Sequence, residues 1–490
     1  MAAKPEYRVD YADLREWLEK VKEFGELHTI KGAHWDKEMG GITEVLYRKH
    51  VENAPMLLFD DFPGYPSGYR CIIGILNSPK RLGLTVGLPT REYEGKLDFL
   101  AAYRERMRHT SPIPHKMVTN GPVLENVQTG DEVDILKFPV PQLRAMDGGR
   151  FIGTACGVIT RDPEEGWVNV GAYRVQVIDG KTVFNSMIRG AHGWIHRAKY
   201  LDQGKPCPMA IVVGADPLLW LVSAFRIPSG LSELDWVGGV RGESFETVEG
   251  PFTGLPIPAR SEIVIEGEVL PGEIGQEGPF GEWMGYYGSM ESRPRQIFHV
   301  KSVLHRNDPI LTCAMPGKPP YDYLFQACVS RSAGLWEKLE QADVPDVKGA
   351  WSHEAGGARL FTVVSIKQRY HGHSRQAGVL ASQLDPSSMQ GRWVVVVDDD
   401  IDPTNMYEVL WAISTRCDPA LDIDIIRKCW TVTSDTMVAE HGAESAYNNR
   451  AVIDACIPFD RIDNFPVPAI NSTEYQRQII AKWGNELFGA

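Results

Sequence analysis

The chain has 490 residues, which is too long for one compact core and predicts two to four domains of ordinary size. Its 51 lysine and arginine residues stand against 64 aspartate and glutamate residues, and the net charge of −13 argues against nucleic acid or an anionic membrane as partner. The eight cysteines form no CxxC pair, and the N-terminus carries no apolar secretory signal. We therefore expect a cytoplasmic protein with reduced cysteines and no transmembrane segment.

The first part of the chain reads as alternating helices and strands. Apolar residues at helical spacing over residues 11–24 predict a helix that ends at Gly25. The elements expected after it are a strand at 26–32, a helix near 42–53, a strand from residue 56 and a helix near 94–108. Polar, proline-containing sequence then precedes a boundary near 115–125, so we predict an N-terminal α/β region over residues 1–120.

The middle third of the chain has a different sequence pattern. Short β-branched runs recur between glycine and proline turns from about residue 151 to 305, and two of them alternate with period two. This spacing predicts an antiparallel barrel or sandwich, interrupted by a helix near 193–203. We assign residues 121–325 to this β-rich domain.

The last part returns to an αβ pattern. A helix near 330–342, strands at 361–368 and 393–397, and a helix near 405–415 predict an α/β domain over residues 326–465. The tail, residues 466–490, carries an apolar stripe at helical spacing formed by Tyr475, Ile479, Trp483 and Leu487. We favour packing of this C-terminal helix on its own core over docking on a partner subunit.

The common catalytic motifs are absent. The sequence has no GxGxxG, P-loop, GxSxG or HExxH pattern. His192 and His196 are four residues apart on a predicted helix, a spacing that suits a metal pair but that we read first as a surface coincidence. His371 and His373 are read as loop histidines.

One segment, residues 275–288, carries the clearest chemical pattern. Its two carboxylates, Glu277 and Glu282, are separated by Gly-Pro-Phe-Gly, which favours a tight loop over a regular helix. Such a loop can bring both acids to one pocket, where an acid among apolar neighbours can deliver a proton near neutrality. The alternative is a glycine-rich turn with two solvated acids.

A second cluster lies earlier in the chain. Asn169 and Arg174 fall on a strand-like segment, and an arginine there is suited to hold a carboxylate or a phosphate. Asn169, His192 and Glu233 each offer one ligand atom, a mixed set that suits a divalent ion bound beside a phosphate. The spacing alone does not show that these three residues meet.

Six segments, in this order, carry a resemblance to a known family. They are GPVLENV (121–127), FPVPQLRAMDGGRFIGT (138–154), RIPSGLSELDWVGG (226–239), IPARSEIVIEGEV (257–269), EGPFGEWMGY (277–286) and VVDDDIDPTNMYEVLWAISTRCDP (396–419). With Asn169, Arg174 and His192, they make the chain resemble the UbiD family of reversible decarboxylases, which use prenylated FMN. The resemblance runs from about residue 10 to 460.

The resemblance implies a set of cofactor-binding residues. Residues matching Asn169, His192 and Glu233 hold a divalent metal, usually manganese, against the cofactor phosphate, with a potassium or sodium ion beside it. The matching backbone segment for that monovalent ion is Val222, Ser223 and Phe225. The implied cofactor-binding set is Thr154, Asn169, Gly171, Ala172, Tyr173, Arg174, Ala191, His192, Ser223, Phe225 and Glu233.

The resemblance also implies a catalytic set and a fold. Arg174 would orient the substrate carboxylate, Glu277 would pair with it, and Glu282 would donate the proton that replaces carbon dioxide. The cofactor supplies the electron sink for the decarboxylation. The implied fold is an α+β and α/β multidomain chain: an N-terminal α/β region, a central split β-barrel that binds the flavin, and a C-terminal α/β domain that mediates dimerisation.

The substrate is left open by departures from the family pattern near residues 313–330. The pocket candidates are Ile188, Leu324, Phe325, Ala327, Trp430 and Val432, for which ordinary core packing is the alternative. We expect an aromatic or heteroaromatic acid as substrate, CO2 as co-product, a flavin prenyltransferase as cofactor supplier and a homodimer or higher homo-oligomer. The alternatives are an acrylic-acid (cinnamate-like) decarboxylase, a non-catalytic flavin-binding subunit of a carboxylase complex, and an unrelated FMN oxidoreductase.

Overall fold

The structure is a computed structural model that describes residues 7–50, 54–89, 91, 93–225, 227–288, 292–384, 391–432, 435–438 and 446–488. Its first elements are α1 (Leu14–Glu23), β1 (Leu27–Lys31), α2 (Glu38–Lys49), β2 (Met56–Asp60), β3 (Arg70–Ile73), α3 (Pro79–Val86), α4 (Lys96–Arg108) and β4 (Lys116–Met117). The predicted helix at 11–24 is confirmed as α1. It begins where the Asp13 carboxylate accepts hydrogen bonds from two backbone N–H groups of the first turn. Helix α3 was not predicted.

The middle of the chain is rich in strands. Its elements are β5 (Asn126–Thr129), β6 (Phe151–Gly153), β7 (Cys156–Arg161), β8 (Val168–Gly171), β9 (Arg174–Val177), β10 (Thr182–Ser186), α5 (His192–Asp202), β11 (Cys207–Val213), α6 (Pro217–Ser223), α7 (Glu233–Arg241), β12 (Glu246–Glu249), β13 (Pro256–Pro258), β14 (Ile263–Glu277), β15 (Arg293–His305) and β16 (Ile310–Cys313). Single turns of 3₁₀-helix lie at Pro122–Leu124, Gly130–Glu132, Ile135–Lys137, Glu354–Gly356 and Phe459–Arg461.

Nine of these strands form one curled, half-barrel sheet. Its order is β6-β9-β10-β15-β14-β11-β7-β8, with β5 paired to the far half of β15, and every pairing is antiparallel. Strand β11 sends Ala210 and Val212 into one hydrophobic core and Met209, Ile211 and Val213 into another. Because both faces of the sheet are covered at this strand, its sequence is a nearly continuous apolar run. The predicted antiparallel β architecture is confirmed.

Two small sheets join distant parts of the chain. The N-terminal sheet has the order β1-β2-β3-β16, so its fourth strand comes from residues 310–313. Strand β4 pairs with β12 in the three-stranded sheet β13-β12-β4. The N-terminal region is thus hydrogen-bonded to the middle of the chain at both ends.

The C-terminal elements form a five-stranded sheet with helices. They are α8 (Leu324–Gln341), β17 (Val347–Ser352), β18 (Phe361–Ile366), α9 (His373–Gln383), β19 (Trp393–Asp398), α10 (Met406–Arg416), β20 (Ile423–Trp430), β21 (Tyr447–Asp454) and α11 (Thr473–Phe488). The sheet order is β17-β18-β19-β21-β20, with β18, β19 and β21 parallel. Val394 and Val396 pack into the largest core, whereas Val395 and Val397 pack into a separate core that includes α10 residues. The four-valine run is explained by burial of both sheet faces.

Two expectations for this part of the chain are wrong. Helix α11 forms, but none of its described residues is buried, so it does not pack on its own core as we favoured. His373 is not a loop histidine, because it is the first residue of α9 and is fully buried; His371 does lie in the preceding loop. All eight cysteines are free. Within the described part of the chain, the helices are too short or too polar to cross a membrane.

Candidate active site

The two acids of the glycine-rich segment lie at the end of the longest hairpin. Glu277 is the last residue of β14 and pairs with Arg293 at the start of β15. Glu282 lies in the connecting loop, where its N–H donates to the Tyr286 carbonyl at 2.9 Å. The chain turns away from the sheet at Gly278, whose φ of +92° is readily adopted only by glycine. The tight loop expected from the sequence is therefore present.

Arg174, the first residue of β9, binds both acids. Its Nε donates to Glu277 Oε1 at 2.6 Å and its Nη2 donates to Glu277 Oε2 at 3.1 Å. Its third nitrogen, Nη1, donates to Glu282 Oε1 at 3.0 Å. We call Arg174, Glu277 and Glu282 the acid network. The structure brings these three predicted catalytic residues into direct contact.

The two acids of the network differ in freedom. The Glu277 side chain is 1% exposed and held by two hydrogen bonds, whereas Glu282 is 24% exposed and held by one. Burial lowers the pKa of Arg174, but the charges of Glu282 and Glu277 and their hydrogen bonds outweigh it, so the pKa lies above its ordinary value. The guanidinium is thus a permanent cation, and Glu282 is the acid with room to reach a substrate.

Aromatic rings close one side of the acid network. The Phe280 ring centroid lies 5.2 Å from Arg174 Cζ, and the rings of Phe280 and Phe151 are 4.3 Å apart. Both phenylalanines are buried. A cation on an aromatic face in a water-poor site is held more firmly than in solvent.

Glu233 binds β8 at the residue next to Asn169. Asn169 is buried in β8, and its side-chain nitrogen has no hydrogen-bond partner. Glu233, the first residue of α7, is 3% exposed, and its Oε2 accepts from the Val170 N–H at 2.6 Å. Burial raises the pKa of Glu233 to about 7. A buried carboxylate suits a bound cation, which would stabilise its charged form, whereas the unpartnered N–H group of the Asn169 amide suits an acceptor such as a phosphate oxygen.

Tyr173 connects His192 to this pair. The Tyr173 hydroxyl accepts from the Gly193 N–H at 3.2 Å, and Gly193 directly follows His192 at the start of α5. Burial raises the pKa of Tyr173, and the charge of Glu233 adds to the effect. Asn169 and Glu233 therefore both act on Tyr173, and His192 adjoins the hydrogen-bond partner of Tyr173 in sequence; we call Asn169, His192 and Glu233 the Glu233 site. Among the described residues, no cluster of three or more histidine, cysteine, aspartate or glutamate side chains could hold a metal ion. The predicted ligand set contains one histidine, one glutamate and one asparagine.

The second histidine of α5 has a structural role. His196 is fully buried, its Nδ1 lies 3.0 Å from the Thr160 hydroxyl, and burial lowers its pKa to about 4. The Trp167 ring contacts His196 edge-on at 4.5 Å and His192 at 5.2 Å. Reading the pair as a surface coincidence was wrong, because one histidine is in the core.

The remaining predicted cofactor-binding residues lie along neighbouring loops. Thr154, between β6 and β7, accepts a hydrogen bond from the Ala314 N–H at 2.8 Å. The Ala172 N–H donates to the Ser223 carbonyl at 3.0 Å, which ties the turn before Arg174 to the end of α6. The Val222 carbonyl accepts from Phe225 at 2.9 Å. Carbonyl oxygens with one hydrogen bond keep a second lone pair, as a potassium site needs.

The small residue Gly171 makes room for the Tyr173 ring. A Cβ on Gly171 would lie 2.4 Å from that ring, so a larger residue there would displace it. Ala191 is the residue that precedes the first turn of α5 and ends the loop that contains Ile188. Gly171 therefore lies in the backbone segment between Asn169 and Arg174, and Ala191 directly precedes His192.

The six pocket candidates fall into different environments. Leu324, Phe325 and Ala327 lie on the first turn of α8, where Leu324 and Ala327 belong to the largest hydrophobic core. The Phe325 ring packs beside Phe99 at 5.6 Å. Core packing, the alternative reading, describes these contacts.

The other three candidates are more exposed. Ile188 is 65% exposed in the loop before α5, and Trp430 is 55% exposed at the end of β20. Val432, two residues after Trp430, is partly buried. Their exposed apolar surface leaves them accessible to a bound molecule.

Sequence reasoning missed three residues around the acid network. The Arg295 Nε lies 3.9 Å from Glu277 Oε2, so Glu277 stands between two guanidinium groups. Gln176 and Asp147 bind the backbone and a side chain of the loop that carries Glu282. The period-two position of Gln176 after Arg174 and of Arg295 after Arg293 was a usable signal, because such residues share one face of a strand.

Comparison with known families shows which family this chain belongs to. Residues 18–97, 116–319 and 325–455 match, respectively, the N-terminal, Rift-related and C-terminal domains of UbiD, described as 3-octaprenyl-4-hydroxybenzoate carboxy-lyase. The chain belongs to the UbiD family. The resemblance inferred from its motifs is confirmed, as is the prediction of a carboxy-lyase at the level of the family.

Two UbiD relatives have stated activities. The chain is 34% identical over 430 residues to the pyrrole-2-carboxylic acid decarboxylase of Pseudomonas aeruginosa, covering 84% of each chain. It is 30% identical over 428 residues to the phenolic acid decarboxylase of Bacillus subtilis, covering 85% of this chain and 87% of the relative.

A solved UbiD-class structure has the same fold. HmfF from Pelotomaculum thermopropionicum, in complex with FMN, is 29% identical and superposes with a TM-score of 0.81 over 94% of this chain and 98% of HmfF. An evolved dimeric form of HmfF in complex with prFMN gives a TM-score of 0.77 at 29% identity, over 95% and 100% of the two chains. Flavin complexes therefore exist within this fold.

Proposed function

We propose that this UbiD-family chain catalyses the reversible, non-oxidative decarboxylation of an aromatic or heteroaromatic carboxylic acid with prenylated FMN. The observation that carries the proposal is the acid network, in which one guanidinium binds a buried carboxylate at two points and a more exposed carboxylate at one. That arrangement supplies a fixed cation for a substrate carboxylate and an acid beside it.

Each residue of the acid network has a separate role in the proposed reaction. Arg174 orients the substrate carboxylate, and Glu277 holds Arg174 in place because its own position is fixed by burial. Glu282 then donates its proton to the carbon that loses carbon dioxide. Phe280 and Phe151 keep water from the network. Prenylated FMN, when bound, supplies the electron sink that decarboxylation of an aromatic ring requires.

The Glu233 site would hold the cofactor phosphate through a divalent ion. Asn169, His192 and Glu233 are the proposed ligands of manganese, and the carbonyls of Val222, Ser223 and Phe225 those of potassium or sodium. The buried Glu233 carboxylate supports a cation at this site, and the unpartnered side-chain nitrogen of Asn169 supports an acceptor such as a phosphate oxygen beside it. A cation there would offset both the carboxylate and the phosphate charge.

The substrate class rests on the relatives and on the exposed apolar residues. Two relatives are named for pyrrole-2-carboxylic acid and phenolic acid. Ile188, Trp430 and Val432 offer apolar surface to a flat ring. An acrylic-acid substrate would need an extended slot instead, and a non-catalytic flavin-binding subunit would not need Glu282.

Assembly and cofactor supply complete the proposal. We assign residues 121–325 to flavin binding and residues 326–465 to dimerisation, within a homodimer or larger homo-oligomer. The α11 stripe, which has no buried residue, fits contact with a partner subunit. Prenylated FMN would come from a separate flavin prenyltransferase.

Native mass spectrometry tests the cofactor. The protein is produced with and without a co-expressed flavin prenyltransferase and handled without oxygen. We expect a mass increase of prenylated FMN plus one divalent ion only with the prenyltransferase. Plain FMN or no flavin under both conditions would contradict the proposal.

A substrate screen tests the reaction. The loaded enzyme is incubated with pyrrole, furan, indole, hydroxybenzoic and cinnamic acids, and carbon dioxide release is measured. We expect release from at least one aromatic or heteroaromatic acid and none from the matched variant Glu282→Gln. Turnover of cinnamic acid alone would favour the acrylic-acid alternative.

A further inference from the structure

One end of the loop that carries Glu282 is held by Gln176. This side chain is buried, its Oε1 accepts from the Gly278 N–H at 2.7 Å, and its Nε2 donates to the Gly148 carbonyl at 2.9 Å. Gly278 directly follows Glu277, and Gln176 lies two residues after Arg174 on β9. Gln176 therefore binds the loop at the point where it leaves the acid network.

The other end of the loop is held by Asp147. The Tyr287 hydroxyl donates to Asp147 Oδ1 at 3.0 Å, and the Arg144 N–H donates to Asp147 Oδ2 at 2.8 Å. Asp147 is buried, and burial raises its pKa. Burial and the charge of Asp147 raise the pKa of Tyr287, so its hydroxyl keeps its proton and remains the donor.

Backbone contact joins the same two segments. The Gly148 N–H donates to the Pro279 carbonyl at 2.8 Å, and a Cβ on Gly148 would lie 2.0 Å from the Gly278 carbonyl oxygen. Such a close approach requires glycine. The segment Arg144–Gly148 thus lies directly against the loop.

Glu282 lies at the tip of a narrow hairpin whose far arm is Tyr287. Gly281 and Tyr287 form an antiparallel bridge, and the Glu282 N–H donates to the Tyr286 carbonyl. A shift of Tyr287 is therefore transmitted through backbone hydrogen bonds to Glu282. Because Glu282 has only one side-chain hydrogen bond to Arg174, its position depends on this hairpin.

We propose that Gln176 and the Asp147–Tyr287 pair are positioning residues, which hold the two ends of the loop so that Glu277 and Glu282 stay on Arg174. This inference rests on the proposed function, in which Glu282 delivers a proton. Gln176 and Asp147 bind the loop from outside, Tyr287 belongs to it, and none of the three has a chemical role in the proposed reaction. They set how often Glu282 lies within reach of the substrate carbon.

The test compares Tyr287→Phe with Tyr286→Phe in the holoenzyme. The first removes the hydroxyl bound to Asp147; the second removes a hydroxyl from the neighbouring, exposed tyrosine. We expect Tyr287→Phe to lower kcat by about 10- to 100-fold with KM changed by less than about 2-fold, because misplacement affects proton delivery more than binding. Tyr286→Phe should match the wild type.

A second measurement does not depend on turnover. Hydrogen–deuterium exchange of peptides covering residues 277–288 should be faster in Tyr287→Phe than in Tyr286→Phe, with flavin content and Tm equal. Asp147→Asn should show the same faster exchange, because its amide offers one acceptor oxygen where the carboxylate offers two.

Two outcomes would overturn the inference: exchange equal in both tyrosine variants, or faster exchange with an unchanged kcat. If wild-type loaded protein decarboxylates no acid, the proposed function fails by itself. In that case, hydrogen–deuterium exchange alone tests whether Tyr287 holds the loop. Equal exchange rates in the two tyrosine variants would show that it does not.

Discussion

The acid network and the Glu233 site place carboxylates in buried positions in opposite ways. In the acid network, Glu277 is bound twice by Arg174, so the buried charge is paired within the protein. At the Glu233 site, the carboxylate accepts a backbone N–H, its pKa is raised to about 7, and the Asn169 amide nitrogen beside it has no partner. The first arrangement pairs its charge within the protein, whereas in the second the proposed cation would pair the charge.

Glu282→Gln should remove proton donation by the acid network and leave the structure of the network unchanged. We expect kcat to fall by about 10²- to 10⁴-fold, the usual contribution of a general acid. Flavin content should stay at the wild-type level, because Glu282 is absent from the Glu233 site. The measurement is single-turnover carbon dioxide release beside flavin absorbance; normal turnover would mean that Glu282 is not the proton donor.

Arg174→Met should break the pairing itself. It leaves Glu277 buried without its bidentate partner and with only Arg295 nearby, at 3.9 Å, and loss of one partner of a buried pair costs up to about 3–5 kcal/mol. Urea denaturation of the cofactor-free protein measures this. The double variant Arg174→Met/Glu277→Gln should recover much of the loss, because it also removes the buried charge of Glu277; equal destabilisation of both variants would contradict pairing as the cause.

Glu233 should make the metal-free protein lose stability as pH rises. Its folded pKa of about 7 lies above the ordinary 4.5, so its contribution is fully present below pH 4.5 and is lost as pH rises through 7. The difference in unfolding free energy between wild type and Glu233→Gln should change by about 3 kcal/mol across this window. Added Mn²⁺ should reduce the change. A pH-independent difference would show that the carboxylate is not desolvated.

Asn169→Ala should have the smallest effect on the metal-free protein. Removal of its buried nitrogen, which has no hydrogen-bond partner, offsets part of the cost of the smaller side chain, so we expect stability to change by about 1 kcal/mol. The rise in Tm on adding Mn²⁺ should shrink, because one proposed ligand is gone. An undiminished rise would remove Asn169 from the ligand set.

The predictions from sequence succeeded where local patterns decide structure. Helix α1 followed from apolar spacing, and the loop between Glu277 and Glu282 followed from Gly-Pro-Phe-Gly. They failed where burial is set by distant partners. His373 looked like a loop residue because glycine precedes it, yet it begins a buried helix. The apolar stripe of α11 was visible, but what it contacts was not.

The sequence by itself determined which chemical groups this protein carries, their order, and the strand or loop that presents each one, because propensity and spacing act over a few residues. Only the tertiary structure decided that Arg174 meets two acids more than 100 residues away, since pairing across the sheet order β9-β10-β15-β14 has no local signal. It also decided that Glu277 is buried and Glu282 is partly exposed. That difference in solvent access, set by neighbours from the whole chain, separates a holding acid from an acid free to donate a proton.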